Sequence, residues 1–181
     1  MRRWPQGGNE MNERSLLPRM AAALLALLGL IDGVYLTLHH YRPSINLRCP
    51  VGGGCETVQG SAWSTLPPGG AGVPMALIGV VGYAVLLLLA LVALQRERIG
   101  PVAVPPLLLL VASGGLVFSL YLTFLQLFVI GAICFWCAMS ALCELGIWLA
   151  AVVDWRAWRR ESAIDTTVDA PPLRREAAQS R

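Results

Sequence analysis

The chain has 181 residues, of which 56% are hydrophobic and 14% charged, and its mean hydropathy is +0.60. A soluble domain of this length is less apolar, so the composition excludes that class and predicts a protein that lives in a bilayer. The net charge is +3, and all 14 basic residues are arginine, which excludes lysine Schiff-base chemistry.

Four apolar stretches follow one another along the chain, at residues 20–38, 73–94, 104–127 and 132–153. Each is long enough to cross about 30 Å of hydrocarbon, which takes about 20 helical residues. Lipid offers no partners to backbone groups, so each stretch must be helical. The first has no small-residue cleavage site directly behind it, and we interpret it as a retained span. The sequence therefore predicts an all-α membrane protein with a four-transmembrane-helix bundle in residues 16–155.

Arginines mark one side of the predicted membrane. Nine arginines lie before the first span, between the second and third, or directly after the fourth: Arg2, Arg3, Arg14, Arg19, Arg96, Arg98, Arg156, Arg159 and Arg160. The opposite side has only Arg42 and Arg48, in a much longer loop. By the positive-inside rule both termini are cytoplasmic, and loop 39–72 caps the bundle outside. The charge is then a topology signal, and no nucleic-acid partner is expected. Residues 1–15 and 156–181 are predicted to be disordered cytoplasmic segments, with no soluble domain fused behind the last helix.

A cysteine pair opens the fourth span in the motif Cys134-Phe135-Trp136-Cys137. Two residues between thiols is a spacing at which a disulfide closes easily and one thiolate resolves a mixed disulfide formed by the other. Both cysteines lie on one face of the first helical turns, where the helix dipole favours a thiolate. The alternative interpretation is a pair of small apolar residues packing in a helix.

A second pair, Cys49 and Cys55, lies in the long polar loop and encloses three consecutive glycines. The glycines give the backbone freedom to bring the thiols together, and the predicted outer compartment lets a disulfide persist. A static staple is the alternative, but the nearby Cys134/Cys137 pair favours thiol exchange. Cys143 falls on the opposite side of the last helix and is expected to be inert packing.

Metal binding is the rival use of these cysteines, with His39 and His40 as further ligands. The five-residue spacing between Cys49 and Cys55 is uncommon at zinc sites, so no metal site is predicted. Ala138 follows Cys137 where a c-type haem site needs histidine. Two electrons delivered at the edge of a bilayer instead suit a lipid-soluble quinone. Trp136 lines the mouth of such a site or anchors the helix at the interface.

Further elements accompany the two cysteine pairs: Tyr35-Leu36-Thr37, Ser61, Trp63, Gly72-Val73-Pro74 and Ser140-Ala141. Together they resemble the vitamin K epoxide reductase family, specifically bacterial homologues that support disulfide formation outside the cytoplasm. The resemblance covers about residues 24–153. An unrelated family of four-helix, quinone-dependent thiol oxidases has similar architecture and chemistry, but Ser61 and Trp63 favour the assignment made here.

The resemblance implies an enzyme of the bacterial plasma membrane that makes disulfides. Electrons would pass from a separate thioredoxin-like extracytoplasmic protein through Cys49/Cys55 to Cys134, and from Cys137 to menaquinone or ubiquinone. Ser61 would lie near the quinone, or serve as a turn hydroxyl. Many relatives carry a fused thioredoxin-like domain after the last helix, whereas the short tail of this chain predicts none, so the partner is expected to be a separate protein. Ala141 stands where vertebrate members have tyrosine, which favours quinone reduction over vitamin K epoxide reduction.

The candidate quinone-site residues are Ser61, Trp63, Asp32 and Trp136. Asp32 and Glu144 are acids within predicted spans, where a carboxylate is costly unless it faces the bundle interior or is protonated. Quinone reduction consumes two protons, so Asp32 is a candidate proton donor or helix-pairing group, whereas Glu144 is expected to be structural. Two rival functions remain: a quinol-driven conduit in the reducing direction, and a non-enzymatic metal-binding membrane protein.

Overall fold

The computed structural model describes residues 12–42, 49–50, 52–69, 72–96, 98–99 and 101–168. Its long helices are α1 (Asn12–Tyr41), α3 (Met75–Gln95), α4 (Val104–Phe124) and α5 (Phe135–Val168), and a short helix α2 covers Gly54–Gln59. Within these described residues, four helices are long and apolar enough to cross a membrane. The predicted all-α bundle with four transmembrane helices is thereby confirmed.

The connections between the long helices contain short hydrogen-bonded elements. A 3₁₀ turn (Ala62–Ser64) follows α2, and strand β1 (Thr65–Leu66) pairs antiparallel with β2 (Val73–Pro74) just before α3. A second antiparallel pair joins β3 (Arg98–Ile99) to β4 (Val102–Ala103) between α3 and α4. A π-helical turn (Leu125–Ile130) extends α4, and Gly131 ends it with φ +69° in the left-handed region.

Small buried residues set the helix packing. Helix α1 lies against α3 and α5, and α4 packs on α5. The alanines at the centre of the bundle are almost fully buried and come from all four helices: Ala22, Ala26, Ala90, Ala112 and Ala151. Such residues let helix backbones approach closely, which is how membrane helices gain packing energy in lipid. Many large apolar side chains, such as Leu24, Leu110 and Leu142, are exposed, as expected of a surface that contacts acyl chains.

A buried ion pair ties three helices together at the end of the bundle opposite the loop. The Nε of Arg19 donates to Oδ1 of Asp154 at 2.7 Å, and its Nη1 donates to the carbonyl oxygen of Ala93 at 2.8 Å. Both charged side chains are buried. Arg19 was expected to be only a topology charge ahead of the first span, whereas it lies inside α1 and pairs across the bundle.

The first and last long helices, α1 and α5, extend beyond the spans predicted for them. Helix α5 continues to Val168, through residues 156–168 that were predicted to be disordered. Local contacts support this extension: the guanidinium of Arg159 lies 4.9 Å from the ring centroid of Trp155, and the hydroxyl of Ser162 donates to the carbonyl of Trp158. Of the segments predicted to be disordered, 1–15 and 156–181, residues 1–11 and 169–181 lie outside the described residues, as do parts of loop 39–72.

Candidate active site

The loop cysteines Cys49 and Cys55 are joined in a disulfide. The glycine run between them forms the turn that leads into α2. Gly52 and Gly53 have φ angles of +77° and +64°, in the left-handed region that side chains disfavour. The sequence predicted only that the glycines make the backbone flexible. In the structure, they form a turn of defined conformation.

Gly54 brings this turn against the segment that precedes α5. A Cβ atom added to Gly54 would collide with the carbonyl oxygen of Ile133. The close approach places Cys55 and Cys134, both 0% exposed, in one buried cluster. Cys49 and Cys137 pack against the same cluster. The structure thus brings all four predicted redox cysteines together.

Cys134 lies directly before the first residue of α5 and outside the fourth span, Phe135–Ala163. Its Sγ accepts the backbone N–H of Cys137 at 3.4 Å, in the manner of a helix N-cap. A hydrogen bond with the Cys137 thiol, assisted by backbone N–H groups, lowers the pKa of Cys134 to about 7 although burial opposes the shift. Cys134 is therefore well suited to be a thiolate near neutral pH.

Gln126 holds the backbone of Cys134. Its side-chain Oε1 accepts the N–H of Cys134 at 2.9 Å, and its own carbonyl accepts the N–H of Ala132 at 3.1 Å. Gln126 is buried in the π-helical turn. Sequence reasoning missed it, although an amide in an apolar span next to a cysteine pair is a usable signal.

A cavity of about 340 Å³ lies between the helices below the cysteine cluster. Its walls are mainly apolar, and Cys137 is the one of the four redox cysteines that lines it. Its polar lining side chains include Asp32, Ser64, Tyr83, Gln126, Ser140 and Glu144. The cavity therefore joins one thiol to a largely apolar space with a few polar groups, the usual composition of a small-molecule site.

The model of the Vitamin K epoxide reductase family matches residues 20–152, which include both cysteine pairs and most of each long helix. The chain belongs to the vitamin K epoxide reductase family. Membership makes it a multi-pass membrane protein and, in general terms, a quinone-linked disulfide oxidoreductase. Proteins of this family typically work with thioredoxin-like proteins and quinones.

The cavity of this vitamin K epoxide reductase family member fits a quinone. Its apolar walls suit a ring with a lipid tail, and the Cys137 thiol lies on the wall. Both carboxyl oxygens of Asp32 and Oε1 of Glu144 are buried without a hydrogen-bond partner in the described part of the chain. A carboxyl group in its protonated form has an O–H that can donate a hydrogen bond to a carbonyl oxygen of a ligand in the cavity.

Of the predicted quinone-site residues, Asp32 lines this cavity, whereas Ser61, Trp63 and Trp136 are placed elsewhere. The hydroxyl of Ser61 donates to the carbonyl of Val58 and closes the turn after α2. Trp63 is 37% exposed. Trp136 packs edge-on against Tyr35 within the cysteine cluster, with ring centroids 5.3 Å apart. Ser64, from the same 3₁₀ turn as Trp63, lines the cavity instead.

The alternative hypothesis of a metal site requires several ligand side chains close together. Among the residues that the structure describes, no three histidine, cysteine, aspartate or glutamate side chains are grouped closely enough to hold one ion. His39 and His40 lie in the last turn of α1, and Cys49 and Cys55 are bonded to each other.

Proposed function

We propose that this vitamin K epoxide reductase family protein oxidises a thioredoxin-like protein outside the cytoplasm and passes the electrons to menaquinone or ubiquinone in a bacterial plasma membrane. One observation carries the proposal: the four cysteines share one cluster, and Cys137 also lines the cavity. The arrangement supports thiol exchange on one side of the cluster and quinone chemistry on the other.

Burial suggests which loop sulfur the partner attacks. Cys49 is partly exposed, whereas Cys55 is fully buried beside Cys134. A partner thiolate attacks Cys49 and releases Cys55 as a thiolate. The partner's second thiol then resolves the mixed disulfide, so the partner leaves as a disulfide and the loop pair is left reduced.

The buried cysteines then move the two electrons inward. Cys55 attacks Cys134 of an oxidised Cys134–Cys137 pair, and Cys137 leaves as a thiolate. Cys49 resolves the Cys55–Cys134 bond and restores the loop disulfide. Cys134 and Cys137 are now both reduced, and they are reoxidised at the cavity, where bound quinone supplies a two-electron, two-proton acceptor. The lowered pKa of Cys134 supports its role as the exchanging sulfur.

The test uses the purified full-length protein, a reduced thioredoxin-like protein and a short-chain ubiquinone. With the partner in large excess over the protein, partner thiols beyond those that the protein's own disulfides oxidise should disappear only when quinone is supplied, in step with quinone absorbance. Cys137→Ala should abolish quinone reduction, whereas Cys143→Ala, a matched substitution on the same helix, should retain it. Quinone reduction at the normal rate by Cys137→Ala would overturn the assigned electron exit.

The direction of electron flow is tested in cells by trapping the redox state of the partner. Deletion of an oxidase leaves its partner reduced, which is the expected result. A partner that becomes oxidised on deletion would instead establish the quinol-driven, reducing direction.

A further inference from the structure

Glu144 is a buried acid that the sequence assigned to a structural role, and its surroundings do not suit that role. It lies on α5 seven residues after Cys137, about 10 Å further along the helix, and lines the same cavity. It is 4% exposed, and Oε1 has no hydrogen-bond partner among the described residues. A structural acid in a membrane helix normally pairs with a neighbouring helix, because an unsatisfied carboxyl in hydrocarbon is costly.

The bundle makes room for this carboxyl group. A Cβ atom added to Gly115 of α4 would collide with the carboxyl of Glu144. Toward the Arg19–Asp154 end, Leu108 and Ile147 are almost fully buried and close the core. Of the α5 residues that line the cavity, Glu144 is the furthest along the helix from Cys137, and a ligand in the cavity can contact it.

The other ionisable groups around the cavity offer no positive charge. Asp32 faces it from α1, Tyr83 from α3, and Cys137 from α5, with Cys143 nearby on the same helix. The described lining residues of α4 are not ionisable, and no arginine or histidine lines the cavity within the described chain. A carboxylate here would be a buried charge without a counter-ion, whereas a neutral carboxylic acid is a hydrogen-bond donor.

We propose that Glu144 is a catalytic acid that donates a proton to the quinone bound in this cavity, with Asp32 of α1 as a second acid on the cavity wall. The inference rests on the proposed function. Oxidation of the Cys134/Cys137 dithiol to a disulfide releases two electrons and two protons, and reduction of a quinone to a quinol takes up the same number. Glu144 and Asp32 each give up a carboxyl proton to a quinone oxygen and regain one released by the thiols, so no further reductant is required.

The experiment compares Glu144→Gln with Glu144→Asp, and with Glu161→Gln as a matched control on α5 outside the cavity. Quinone reduction should fall about 10²-fold or more in Glu144→Gln, recover partly in Glu144→Asp, and stay normal in the control. Exchange between the partner and the loop disulfide, measured without quinone, reports whether each variant is folded.

Infrared difference spectra give a readout independent of turnover. Addition of a short-chain ubiquinone to the full-length protein should perturb a carboxylic-acid C=O band that is missing in Glu144→Gln and present in Glu161→Gln. An unchanged band together with normal quinone reduction in Glu144→Gln would overturn the inference and leave the proposed function standing. Absence of quinone reduction by the unsubstituted protein would overturn the proposed function itself.

Discussion

At the scale of single residues, the two cysteines of the α5 motif have different surroundings. Cys134 is fully buried, caps the helix and has its N–H held by Gln126, whereas Cys137 lines the cavity. The spacing between them predicts only that they can react together. The difference in surroundings follows from the position of each residue: Cys134 stands directly before α5, and Cys137 lies within its first turn.

We expect the thiolate of Cys134 to depend on Cys137. With Cys143 replaced by alanine, thiolate absorbance should titrate with a midpoint near pH 7, below the ordinary thiol pKa of 9.0. Cys137→Ala removes the principal hydrogen bond, so the midpoint should rise. An unchanged midpoint would show that the backbone donors alone stabilise the thiolate.

The lowered pKa of Cys134 also makes the free energy of unfolding depend on pH. The pKa of Cys134 is lower in the folded protein than in the unfolded chain, so this thiol stabilises the fold fully above about pH 9. That contribution declines as the pH falls toward about 7. Thermal denaturation of the reduced protein across this range should show the decline, and Cys137→Ala should weaken it.

Gln126→Leu tests the anchor of Cys134. It leaves a buried N–H without its acceptor, which costs about 1–3 kcal/mol of unfolding free energy. Thermal denaturation in detergent should show the loss, with Gln95→Leu at the exposed end of α3 as the control. Equal melting temperatures for the two variants would contradict the assigned role of Gln126.

At the scale of elements, α2 is a short helix whose position depends on one glycine. Gly54→Ala should push α2 away from the Ile133 carbonyl and slow Cys55–Cys134 exchange about tenfold or more. Gly60→Ala, at the other end of α2 with φ −82°, is the matched control. Rapid-quench trapping of the mixed disulfide measures both rates, and equal rates would show that α2 is placed by other contacts.

The long helices were predictable because apolar length is a local property of the sequence. The π-helical turn at Leu125–Ile130 was not, because it depends on how Gln126 satisfies the segment that follows. The contact between Gly115 and Glu144 was equally hidden, since it requires the relative rotation of α4 and α5. Ser61 and Trp63 were predicted to be quinone-site residues from the family resemblance, and a resemblance does not decide which loop side chains reach a cavity.

At the scale of the whole molecule, the Arg19–Asp154 pair locks α1 to α5 and reaches α3. The sequence contained a signal for this pair. Arg19 lies just before the first predicted span and Asp154 just after the last, and two antiparallel neighbouring helices bring these two ends together. Loss of one partner leaves a buried charge, so Arg19→Ala should cost about 3–5 kcal/mol of unfolding free energy.

The joint replacement Arg19→Met with Asp154→Leu should cost less than Arg19→Ala, because it leaves no uncompensated charge. Arg156→Ala, at an exposed position two residues after Asp154, is the control for lost positive charge. The comparison is made by denaturing the unsubstituted protein and the three variants in the same detergent. A double variant as unstable as Arg19→Ala would show that the pair acts through packing.

The complete burial of Cys55 and Cys134 has a consequence for electron leakage in the cell. A small soluble thiol such as glutathione can approach the partly exposed Cys49, but it has no surface from which to attack Cys134 directly. Under the proposed function, the membrane quinone pool is therefore insulated from the general thiol pool. Electrons enter only through the loop disulfide, so the fit of a partner to that loop decides which proteins are oxidised.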